Sequence, residues 1–365
     1  MAKAGDSIVE KAQALSDLEL AVLICLVADQ HCIITAEKDH LIRAQIELQD
    51  VASQTFGLSC AVLDCSSETT LDDFGSGMLV ESPDQFDSEQ GYVRTGSEIF
   101  SSSDTMRGSE KRSAKMKQPA FSSMDTKRLA NIVIARNLST ASRAVQLHAL
   151  ELLRSKRIYT RTAVHAAPRP FLFIALNATG SARLTNHLND RFFISHEHRG
   201  DDEPQTPEDV DSIESRAGDD TSIAPQTPQI RTEPTPTFSI DDITTLTTLT
   251  STVTMTSELR AYLHNIIVFM RLHRAVAGGI SALATRHFTQ LAHVLAPLHG
   301  LSYITPSLVA LAARKVYPHR IVITSPERER SMQWGSSLEA VKAVLEGVGE
   351  VDVVEEVLQS VEAPL

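Results

Sequence analysis

The chain has 365 residues, 42% of them hydrophobic and 22% charged, a composition for a soluble globular protein of about two domains at roughly 150 residues each. Its formal net charge of −12 argues against general nucleic-acid binding, which needs a basic footprint. The longest apolar run falls well short of the ~20 residues of a spanning helix, so no membrane protein is expected.

In chain order, the amino-terminal residues include Asp6 and Glu10, where a secretory signal would be basic. The first folded block starts near residue 7. The spacing predicts a helix over 17–28, with Ser16 as N-cap and Glu19 completing a capping box. A short strand follows at 32–34, a helix at 41–53, and a second strand at 60–63 ending at Asp64. This strand–helix–strand order marks an α/β core. Cys25, Cys32, Cys60 and Cys65 lie in or beside these apolar runs without a C-x-x-C pair, a pattern of reduced thiols in a cytoplasmic or nuclear protein. Residues 75–125, rich in Ser, Gly, Asp and Lys, read as a disordered insert.

Apolar runs at 132–134 and 171–176 predict two more buried parallel strands with a helical stretch between them. Arg154, Lys156, Arg157 and Arg161 fall at and beyond that helix's end, where cations meet the negative pole of the dipole. Asn177 ends the second run, at the carboxyl edge where α/β sheets bind ligands; its other reading is a strand-end turn residue. His196 and His198 would share a strand face, but a zinc site needs at least three protein ligands, so they read as a solvated surface patch and no metal is expected. Residues 199–237 form a second disordered segment, Pro-rich and acidic. Thr206, Thr227 and Thr235 each precede proline there, as in sites of proline-directed phosphorylation.

From 238 to 330 the pattern is helical, with apolar spacing over 258–274, 281–296 and 306–317. Gly278-Gly279 separate the first two helices, and Pro297 and Gly300 close the second. Thr305 before Pro306 fits an N-cap followed by proline at the first helical position. A carboxy-terminal extension over 331–365 includes a helix near 338–345.

The order of the two strands, Asn177, and then Leu188-Asn189-Asp190-Arg191-Phe192 resembles the AAA+ ATPases of the magnesium-chelatase I-subunit and MoxR group. The match runs from the second Walker strand through sensor 1 to the arginine finger. The helices at 278–298 and 303–321 are similar to that group's lid. The resemblance implies a P-loop-type parallel sheet core over 7–198, a linker over 199–237 and a helical lid over 238–330. The two inserts suggest a fungal form. In such a protein Asn177 is sensor-1-like and Arg191 is arginine-finger-like, acting on the nucleotide of a neighbouring subunit. For Arg191, a structural surface pair with Asp190 is the alternative.

The residues that would bind and hydrolyse ATP depart from the pattern. A P-loop needs glycines whose N–H groups point at phosphates and a closing Lys-Ser/Thr. Here strand 32–34 is followed by Thr35, Ala36, Glu37, Lys38, Asp39 and His40. Glu37 and Asp39 set carboxylates where phosphates belong, or cap the next helix; Lys38 reads as a solvated lysine. The second Walker strand ends in Ala135-Arg136 instead of Asp-Glu, and the sensor-2 arginine is replaced by Leu283, with Arg286 out of register. The expectation is a pseudo-ATPase acting as scaffold or ring subunit, with no cofactor. The alternative is an active magnesium-chelatase-type motor using ATP and Mg²⁺. Expected partners are another AAA+ ring protein or further copies of the chain.

Overall fold

Five short runs, most of them apolar, build the central sheet, and because successive side chains on a strand point to opposite faces each run serves two layers. The computed structural model describes residues 2–81, 127–161, 163–198 and 236–364, with side chains from residue 8 onward. Its sheet holds β1 (Cys32–Ala36), β2 (Cys60–Asp64), β3 (Ile132–Arg136), β4 (Leu172–Ala178) and β5 (Ile194–His198), all parallel, in the order β2-β3-β4-β1-β5. Ile132, Ile134, Ile174 and Leu176 face one apolar cluster, while Val133, Ala135, Phe173 and Ala175 face another. This two-sided burial is why the strands read as continuous apolar runs.

The second face is covered by α4 (Leu71–Gly77) and α5 (Arg143–Ser155). On the first lie α1 (Ala2–Gln13), α2 (Asp17–Ala28) and α3 (Leu41–Asp50). The Ser16–Glu19 capping box opens α2 as its sequence predicts. The short α6 (Asn186–Asn189) precedes β5, and Phe192 and Phe193 after it are both fully buried, one in each cluster.

The carboxy-terminal helices are α7 (Ile240–Thr252), α8 (Ser257–Leu272), α9 (Ala282–Leu298), α10 (Pro306–Val316), α11 (Leu338–Leu345) and α12 (Glu350–Ser360). A two-stranded antiparallel sheet pairs Val276–Gly278 with Val322–Ile323 across α9 and α10. Helices α7 to α10 and α12 join the same apolar cluster as α2 and the sheet. Thr305 caps α10, with Pro306 at its first position.

Several expectations change. Residues 75–81 are ordered: Thr70 and Asp73 form a capping box that starts α4, and the fully buried Phe74 and Met78 anchor it. The expected inserts therefore coincide with 82–126 and 199–235, which lie outside the described residues, as do Thr206, Thr227 and Thr235. Helix 41–53 stops at Asp50 and passes into a wider turn over Val51–Thr55. Pro297 sits inside the last turn of α9, and Gly300, at φ +70°, turns the chain out. The four cysteines are free thiols, all buried except the half-buried Cys60.

Candidate functional site

At the carboxyl edge of the sheet, the loop after β1 is short and closed. Lys38–His40 form a single 3-10 turn leading straight into α3, and Ala36 is fully buried. Glu37, Lys38 and Asp39 are exposed. The expected capping of the next helix by Glu37 or Asp39 does not occur: the N-cap of α3 is His40 and no side chain caps it. Glu37 instead leans toward the His40 ring, 3.8 Å away. Without glycine and with two carboxylates, this loop cannot present a row of N–H groups to a phosphate.

Two strands along, the register sets Asp64 opposite Arg136. The guanidinium forks onto that carboxylate, Nε to Oδ1 at 3.1 Å and Nη2 to Oδ2 at 2.5 Å. The bond holds Asp64 below the usual carboxylate range and raises Arg136. Where magnesium and an activating carboxylate would sit, the chain neutralises its own charge, and Ala135 beside it is fully buried. The donor set therefore does not fit a magnesium nucleotide. Asn177 lies opposite Thr35 of β1, buried at 4% exposure, and its Oδ1 accepts the Ser139 N–H at 3.2 Å. That bond gives it a role in fixing the loop after β3.

Arg191 precedes β5 and so lies at the opposite edge of the parallel sheet from the β1 loop. The expected alternative, a pair with Asp190, is not formed. Asp190 accepts hydrogen bonds from Ser281 Oγ at 2.7 and 2.9 Å and sits 3.7 Å from Arg320 Nε. Arg191 makes no hydrogen bond or ion pair among the described residues. Partial burial, then the nearby charge of Arg154, holds its guanidinium below the ordinary value; Arg286 acts the same way and Asp190 opposes it. Sequence spacing set Arg286 out of register with sensor 2; the first turns of α9 nevertheless bring it near Arg191, a convergence that only tertiary packing reveals.

The lid is fastened to this edge by a buried arginine. Arg320, 2% exposed, donates through Nη2 to the carbonyls of Asp190 and Phe192 and to His287 Nδ1. Asn189 and Arg183 both donate to the His319 carbonyl. Gly279, at φ +101°, is required here: a Cβ would fall 1.9 Å from the Arg320 carbonyl oxygen.

Burial and Arg320 lower the His287 ring to about 3, and burial pushes His31 and His319 well below their usual value. All three fold neutral, whereas the unfolded chain takes up protons near 6.5. Their stabilisation is complete above that pH and is lost as pH falls below about 6.5, which for His287 continues toward 3 at on the order of 1 kcal/mol per pH unit. The melting temperature should therefore fall steadily from pH 7 to 5, and a flat profile would contradict neutral burial of these rings.

The remaining sequence candidates separate. His196 is buried at 7% exposure, with Lys315 Nζ 3.5 Å from its Nδ1, and His198 pairs with Glu47 at 3.3 Å. They are not the expected solvated patch, because α10 and α2 pack against this edge strand and Glu47 of α3 reaches His198. No group of three or more potential ligands gathers around a metal position among the described residues. No helix among them is long and apolar enough to cross a membrane.

A family profile described as an AAA lid domain matches residues 268–340. The structure is similar over its whole length to that of a candidate ATPase from Cytophaga hutchinsonii, with a TM-score of 0.63, 12% identity and 94% of that chain covered. A protein from Kluyveromyces lactis named maintenance of telomere capping protein 2 is 29% identical over 102 residues, 27% of this chain and 37% of the relative's length. The α/β core with its helical lid is thus an AAA+ fold.

Proposed function

We propose that this chain is a degenerate AAA+ subunit, kin to the magnesium-chelatase I-subunit and MoxR group, that serves an assembly as a pseudo-ATPase. The observation that carries this reading is the Arg136–Asp64 fork at the position of the catalytic carboxylates. The closed Glu37–Lys38–Asp39 loop supports it. The chain's contribution to a ring is then structural at its β1 edge and catalytic, if anywhere, through Arg191 toward a neighbour. Kinship with a protein named for telomere-capping maintenance favours a nuclear setting.

Calorimetric titration of the full chain with ATP tests the reading. No magnesium-dependent binding in the micromolar range and no hydrolysis are expected. Saturable, magnesium-dependent binding at one site per chain would overturn it in favour of an active motor.

A further inference from the structure

Four guanidinium groups and a single carboxylate line a cleft of about 640 Å³ between α6 and the lid. Arg183 comes from the core side; Arg271, Arg320 and Arg330 come from the lid. All four arginines are oriented by main-chain carbonyls, Arg320 by those of Asp190 and Phe192. Arg183 donates to Ile321 and His319 at 2.6 Å each, Arg271 to Ile280 at 3.3 Å, and Arg330 to Arg271 at 2.8 Å and Leu272 at 3.4 Å. Carbonyls position a guanidinium without cancelling its charge. The carboxylate in the lining, Asp190, is already held by Ser281 and Arg320. Glu350 acts on Arg183 through space from outside the lining.

Two further observations point to an anionic occupant. Ser281 in the wall is the N-cap of the 17-residue α9, whose positive dipole end opens on this side. Arg320, also in the wall and 2% exposed, keeps its Nη1 without a hydrogen-bond partner among the described residues. Closed off from solvent, this Nη1 adds positive charge behind the wall and no donor in it. Gly278, also in the wall, has nothing within 4 Å of where a Cβ would stand.

We propose that this cleft binds a small phosphate-bearing ligand, held between core and lid by Arg183, Arg271 and Arg330. A phosphate group carries up to two negative charges and three acceptor oxygens, and planar guanidiniums match it in pairs. The cleft is separate from the β1 edge, and neither Arg191 nor Arg286 lines it.

The test is titration of the full chain with inorganic phosphate, pyrophosphate and glucose 6-phosphate, without magnesium and at constant ionic strength in chloride. Saturable binding of at least one probe is expected, with the ester distinguishing an organic from an inorganic source. Arg271→Gln and Arg330→Gln should each weaken it by about tenfold, the loss of one charge-assisted hydrogen bond. Gly278→Val, which meets no neighbour, should block it while leaving the melting temperature in chloride unchanged. Arg286→Gln should bind as the parent does. Absence of saturable binding of all three probes, or equal binding by parent, Arg271→Gln, Arg330→Gln and Gly278→Val, would overturn the proposal.

Discussion

In a ring with a hydrolysis-competent neighbour, Arg191→Ala should cut that neighbour's turnover by about 10³-fold or more, the scale on which arginine fingers act in P-loop enzymes. The same change should leave the chain's own stability within about 0.5 kcal/mol. Arg191 holds no described residue in place; Arg154 and Arg286 push on its charge while Asp190 attracts it, so truncation breaks no bond and removes opposing charge interactions that largely offset each other. Arg191→Lys separates charge from geometry: an ammonium keeps the charge but lacks the planar fork, so turnover should recover only in part. The measurement is the partner's turnover in a reconstituted assembly of verified stoichiometry. A rate unchanged by Arg191→Ala would reduce this residue to a surface cation.

Arg320→Met should be the most damaging single substitution at the core–lid junction, costing about 3 kcal/mol and lowering the melting temperature by roughly 4 °C. The side chain is buried and bonds two carbonyls and His287, and its loss strands all three as well as the Asp190 carboxylate. Burial lowers its own ionisation to about 10, so it remains charged at neutral pH. Arg286→Met, on an exposed part of α9, is the control and should move the melting temperature little. Thermal unfolding of both variants decides it; equal melting temperatures for Arg320→Met and the parent would show that the bonds to Phe192 and Asp190 do not hold the lid.

What the sequence reveals follows from where the determining forces are local. The capping box at Ser16 and the Thr305-Pro306 pair fix their helices within one turn, and both match the observed boundaries. The apolar runs of β1 to β4 are equally local, so their ranges differ by only a few residues from those expected. Helix α12 escaped because Val353, Val354 and Val357 are β-branched and favour strands; burial against α8 and α10 makes them helical. The absence of a phosphate loop is legible directly, since glycine cannot be supplied from elsewhere in the fold. The Arg136–Asp64 fork is not, because it depends on register between strands 72 residues apart. Arg320 was invisible for the same reason: nothing near it in sequence says that residue 320 will meet residues 190 and 192.

The apolar cluster that runs without a break from the sheet through α2, α7 and α9 to α12 has a mechanical consequence. A lid that swings on its core must part an interface along the way, and here parting it would separate α2 from α7 and α9, exposing the apolar side chains between them together with the fully buried Phe193, which packs on His287. At about 25 cal/mol for each Å² of apolar surface, opening several such side chains to water costs more than thermal motion supplies. Core and lid therefore move as one piece. On the pseudo-ATPase reading proposed above, such a subunit placed between working neighbours would behave as a strut, passing on displacement imposed from one side to the other and generating none.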